Sequence, residues 1–115
     1  MQKRSSNMQK AIFLDKKKVI RKLSQLAIKA KTKNSNIMKI VLFGSLVNNT
    51  YTGTSDADLL IVLKKSNLRF LDRIPEFAFL FLDAPVAIDI FPYTESEIHR
   101  VPLAAKAISG GITLC

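Results

Sequence analysis

Cysteine occurs once, at position 115, and histidine once, at position 99. A single thiol excludes an internal disulfide and a Cys-pair zinc site, and it suits a reducing compartment such as the cytoplasm. The lone His99, on a helical segment beside Arg100, supplies no Ser-His-Asp ordering, so nothing points to a hydrolase triad. No stretch reaches the ~20 apolar residues of a membrane span, because Asp, Lys or Arg interrupts every run. The N-terminal MQKRSSNMQK is basic, but no clean apolar segment with a small-residue cleavage site follows it, which argues against a signal peptide.

What is present is an ordinary globular composition, 48% hydrophobic and 23% charged over 115 residues. That length is enough for one core, so a single domain over 1–115 is expected, with 1–10 as a flexible basic leader. The formal charge of +9 comes from 18 basic and 9 acidic side chains, and it is unevenly spread. Residues 1–33 hold eleven basic side chains against the single acid Asp15, whereas residues 34–115 hold seven basic and eight acidic. A Lys-rich helix face is usually a solvated face, so nucleic-acid binding through 1–33 is a minority reading.

Along the chain, Leu14, Val19, Ile20, Leu23, Leu26, Ala27 and Ala30 recur at helical spacing and predict an amphipathic helix over 14–30. Ile37 to Phe43 reads as a strand buried on both faces, and Gly44-Ser45 ends it. The polar loop 46–55 leads to a second strand from Asp58 to Leu63. A mostly helical 68–82 follows, kinked or divided at Pro75. A third strand is expected over 85–91, then a helix over 94–109, whose Thr94 and Glu97 stand in a capping-box arrangement. Gly110-Gly111 should cap that helix. This order predicts an α+β (α/β-like) fold, a short mixed β-sheet with helices packed on one face.

Asp56 and Asp58 are the first candidates for chemistry. At i and i+2 on an extended chain their side chains project to the same face, so the carboxylates converge. Two close anions call for a cation between them, and an oxygen-only donor set selects a hard one, Mg²⁺ or Mn²⁺. An isolated Asp-x-Asp is more often a solvated turn. Asp89 shifts the balance, because it stands in Val86-Ala87-Ile88-Asp89-Ile90-Phe91, where an ionised carboxylate is costly without a partner. On a strand beside that of Asp58 it would reach the same metal, and three carboxylates suffice for two ions. The alternatives are an ion pair with a helix or an exposed edge position. Gly44 lets backbone approach an anion, and the Ser45 hydroxyl can donate to a phosphate oxygen.

Taken together, Gly44-Ser45, the loop 46–55, Ser55-Asp56-Ala57-Asp58-Leu59 and the later Asp89 resemble the DNA polymerase β-like nucleotidyltransferase superfamily. Within it the chain looks most like the minimal nucleotidyltransferases (MNT domains), and the similarity runs from about 14 to 114. The resemblance implies two-metal transfer of a nucleoside monophosphate from an NTP, with ATP the expected donor. It implies Asp56, Asp58 and Asp89 as catalytic metal ligands, with Asp89 also assisting deprotonation of the acceptor. It implies nucleotide contacts at Gly44, Ser45, Asn49 and Ser55. It further implies a cytoplasmic toxin–antitoxin role, as the antitoxin that adenylylates a tyrosine of a small helical HEPN-type protein. The chain departs from the pattern at Leu46-Val47-Asn48-Asn49, where family members carry basic side chains and a glycine. Asn49 can supply the left-handed backbone, and Lys39, Lys64 or Lys65 are candidates for the missing charge.

The departure motivates a rival of another class, a non-catalytic nucleotide- or partner-binding module with a degenerate site. The segment LRFLDRIPEFAFLFL, 68–82, is more apolar than a small domain needs and reads as a surface for that helical partner or for a second copy of the chain.

Overall fold

The computed structural model describes residues 16–44, 47 and 57–115. The N-terminal leader and Ser45, Leu46, Asn48, Asn49 and 50–56 lie outside that set. The elements are α1 (Lys16–Lys33), β1 (Ile37–Phe43), β2 (Ala57–Leu63), α2 (Phe70–Leu80), β3 (Ile88–Thr94), α3 (Glu95–Ile98), α4 (Pro102–Gly110) and β4 (Ile112–Thr113). They build a four-stranded sheet in the order β3-β2-β1-β4. β1 runs antiparallel to both β2 and β4, whereas β2 and β3 are parallel, joined by a crossover that contains α2.

β2 is buried along its length except at Asp58, as an apolar run flanked by strands on both sides and helices on both faces must be. Its odd-numbered residues Leu59, Ile61 and Leu63 pack with Leu23, Leu26, Ala27 and Ala30 of α1 and Phe77 of α2. Its even-numbered Leu60 and Val62 pack with Val41 of β1 and Ala104 and Ala107 of α4. The period of two in the strand and the i, i+3, i+4, i+7 spacing in α1 produce this division. Helices therefore cover both faces, which corrects the one-face arrangement expected from element order. A strand apolar on both sides does not encode which helix covers which side.

The structure decides three further boundaries, and the start of the third strand departs from expectation. A single helix passes through Pro75 without dividing. The third strand begins at Ile88 and carries Pro92 within it, which an edge strand tolerates because one row of its backbone groups needs no ladder partner. The last helical segment is two helices, α3 and α4, with Pro102 opening the second. The capping box does form: Thr94 N–H donates to Glu97 Oε1 at 2.8 Å.

β4 carries no sequence signal, being two exposed residues long. Gly111 makes it possible. A Cβ there would sit 2.6 Å from the Leu42 carbonyl oxygen and 2.7 Å from Val41 Cγ1, so only glycine lets the chain leave α4 directly against β1.

α2 is anchored by Arg73, which is buried at 5% exposure. Its guanidinium donates to Glu97 through Nη1 at 2.7 Å and Nη2 at 3.1 Å, to the Pro92 carbonyl at 3.0 Å, and through Nε to the Leu68 carbonyl at 3.0 Å. This fork joins α2, β3 and α3. The Arg73 hydrogen bonds hold the Glu97 carboxyl at about 2, from an ordinary 4.5, against the opposing effect of burial.

Candidate active site

The end of the sheet where β1 stops and β2 and β3 begin collects the candidate residues. Phe43 pairs with Asp58 across β1 and β2, and Asp58 pairs with Asp89 across β2 and β3. Neighbouring strands lie about 4.8 Å apart, so the two acidic residues are immediate neighbours. Leu60, Val62, Phe91 and Tyr93 all belong to the α4 face, and by strand alternation Asp58 and Asp89 belong to it too. The Phe43 and Phe91 rings, on the same face, lie 5.5 Å apart at 56°. The β2 and β3 starts are also tied by the Ala57 N–H, which donates to the Ala87 carbonyl at 2.8 Å.

Gly44 follows β1 with a φ of +88°, a left-handed value that side-chain-bearing residues adopt only under strain. A Cβ at this position would collide with Asp58 Oδ2. The glycine thus has two reasons: it turns the chain and it makes room for a carboxylate. Val47 N–H returns to the Gly44 carbonyl at 3.1 Å, so the backbone turns directly after the strand.

Asp89 stands on the strand beside that of Asp58, as the sequence suggested, but without the burial that singled it out there. It is exposed, on an edge strand, so no burial penalty singles it out. Parallel register with Asp58 is what brings it there. Asp56, Ser45, Asn49 and Ser55 lie outside the described residues. Among the described residues no group of three or more His, Cys, Asp and Glu converges. The two that do converge, Asp58 and Asp89, form an oxygen-only donor pair beside a glycine whose missing side chain leaves space for the Asp58 carboxylate, a set that fits a hard divalent cation.

Beside this acidic pair, between the end of β1 and α4, lies a cleft of about 460 Å³ lined by Phe43, Gly44, Pro102, Leu103, Lys106 and Gly110. Sequence reasoning missed Lys106, because no local spacing relates a lysine of α4 to Gly44. Lys64 and Lys65 stand at the opposite end of β2, past the Ile37–Leu63 pair, and cannot supply charge to this site. Lys39 is likewise remote, paired with Val62 near the far end of β1.

A four-stranded mixed sheet with helices on both faces, with Asp58 and Asp89 in register at the end where a left-handed glycine follows β1, defines an α+β domain. The chain belongs to the nucleotidyltransferase domain family, whose model matches residues 12–112. Its structure is similar to that of a Sulfolobus solfataricus protein provisionally described as a nucleotidyltransferase, with a TM-score of 0.67 at 18% identity, covering 90% of this chain and 85% of the other. At that identity the likeness establishes the fold. No curated protein matches the chain.

Proposed function

We propose that the protein transfers a nucleoside monophosphate, AMP from ATP, to a hydroxyl of a protein acceptor. The observation that carries this reading is the register of Asp58 with Asp89 beside Gly44, in a chain of the nucleotidyltransferase family. Asp58 and Asp89, with Asp56 from the preceding residues, would hold Mg²⁺ or Mn²⁺, two ions in the full site. The bound cations would neutralise phosphate charge and lower the proton affinity of the attacking oxygen. The chain's own part is positioning and charge. Gly44 presents backbone to the phosphates, with Ser45, Asn49 and Ser55 as further contacts. The acceptor oxygen forms a bond to the α-phosphorus, the bond to the bridging oxygen breaks, and pyrophosphate leaves with that electron pair. Asp89, the more exposed carboxylate, takes the acceptor's proton.

A protein acceptor is favoured by α2 and the turn after it, where Leu71 (73%), Phe79 (72%) and, past the helix end, Leu82 (71%) are exposed, apolar surface suited to a helical partner. With the family resemblance, this supports the role of antitoxin in a HEPN/MNT-type pair. The absence of basic residues over 46–49 supports the second reading, a binding module that holds nucleotide or partner without transfer.

The test is transfer of α-labelled ATP, with Mg²⁺ and then Mn²⁺, into protein from the source cell by wild type and Asp58→Ala. A protein labelled by wild type alone is expected. Equal labelling by Asp58→Ala overturns the catalytic assignment, and no label from any of the four NTPs favours the binding module.

A further inference from the structure

The cleft between β1 and α4 offers a cation that the phosphate-binding loop lacks. Among the described residues lining it, Lys106 is the one basic side chain, and the absent side chain of Gly44, in the same lining, leaves room for the Asp58 carboxylate. Its volume lies within the roughly 300–1,000 Å³ of small-molecule sites. Lys106 is exposed, one turn before Gly110, on the helix that covers the sheet face carrying Asp58 and Asp89. Phe43, Pro102 and Leu103 form apolar wall on either side of it.

From this arrangement we infer that Lys106 binds the phosphate chain of the nucleoside triphosphate, on the β- and γ-phosphates that leave as pyrophosphate. The inference rests on the nucleotidyltransferase reading and adds a residue to it. The charge logic is direct. Two or three carboxylates holding cations leave the distal phosphates, the most charged part of the substrate, without a protein cation along Leu46-Val47-Asn48-Asn49. An ammonium across the cleft from Gly44 balances them, and an ionised donor to phosphate is worth about twice a neutral one. The same contact would stabilise the charge gathering on pyrophosphate as the bond to the α-phosphorus breaks. A lysine acts here as a point charge on a flexible stem, so its ammonium can serve the cleft from α4.

The measurement is equilibrium binding, with Mg²⁺, of the α,β-methylene analogues of the four ribonucleoside triphosphates to wild type, Lys106→Gln, Lys106→Arg and Asp58→Asn. The monophosphate of the preferred base serves as the comparison ligand. Lys106→Gln should weaken the triphosphate analogue about tenfold or more, weaken the monophosphate far less, and leave the thermal midpoint unchanged because the side chain is exposed. Lys106→Arg should restore most of the affinity. Equal affinity of wild type and Lys106→Gln, with Asp58→Asn impaired, overturns the role of Lys106 and leaves the enzyme reading intact. An equal loss for triphosphate and monophosphate also overturns it, by moving the contact to sugar or base. Failure of wild type to bind any of the four analogues overturns the nucleotidyltransferase reading and this inference with it.

Discussion

Asp58 of β2 and Asp89 of β3 are register partners in a parallel ladder, side by side at the end of the sheet where Gly44 follows β1. Residues separated by an entire crossover helix are thereby placed as close as neighbours in a strand. If this pair holds a cation, Mg²⁺ should stabilise the fold by mass action, about 2.7 kcal/mol at a hundredfold excess over the dissociation constant. Thermal unfolding with and without Mg²⁺ should show a raised midpoint for wild type and a much smaller rise for Asp58→Asn. A midpoint that ignores Mg²⁺ in wild type would speak against the metal role.

Gly44→Ala should be costly for two additive reasons. Its φ of +88° is strained for alanine, and the new methyl would collide with Asp58 Oδ2. Strain of this kind costs about 1–3 kcal/mol, and relief of the clash requires the carboxylate to move. Urea unfolding should report a loss in that range, and Mg²⁺-dependent transfer should fall further than the stability loss alone accounts for. Wild-type transfer in a destabilised variant would show that the Asp58 position is not critical.

Gly111→Ala tests the other close approach, next to Gly110 of the cleft lining. Its methyl would meet the Leu42 carbonyl at 2.6 Å, an atom fixed in the β1 ladder. The overpacking should cost about 1–3 kcal/mol and should loosen β4. Hydrogen exchange at Leu42 and at 112–114 should quicken relative to the β1–β2 pair.

Arg73→Met removes the fork that joins α2, β3 and α3 and strands the Glu97 carboxylate. Truncating one side of a fully buried ion pair costs about 3–5 kcal/mol; Glu97 is 31% exposed, so a smaller loss, about 2 kcal/mol, is expected from denaturant melts. Replacing both partners by apolar residues of similar shape should recover part of it.

The same pair predicts an acid dependence. The Glu97 carboxyl falls to about 2 in the folded chain from an ordinary 4.5, chiefly through the Arg73 hydrogen bond. Between those values the unfolded chain binds a proton that the folded chain does not, so stability rises with pH across the window. The contribution is whole above about 4.5 and is lost as pH falls towards 2. Thermal midpoints of wild type and Glu97→Gln should therefore converge as the pH is lowered from 5 to 2. Curves that stay parallel would show that Glu97 is not held low.

Much of this was decided by the sequence alone. The run Ile37–Phe43, rich in β-branched residues and bounded by Asn36 and Gly44, marks β1 at both ends. The spacing of Leu23, Leu26, Ala27 and Ala30 determines the buried stripe of α1, and Thr94 with Glu97 determines where α3 starts. The turn at Gly44 was legible for the same local reason, an apolar run ended by a glycine. Tertiary structure decided the rest. Asp89 stands beside Asp58 through parallel register and not through burial, and register is a property of two strands. The helices divide between the two faces of the sheet, which a strand apolar on both sides cannot specify. β4 exists because Gly111 lets two exposed residues reach β1, and Lys106 lines the cleft because α4 crosses that end of the sheet. Each of these depends on distances between segments far apart in the chain, and local pattern carries no such distances.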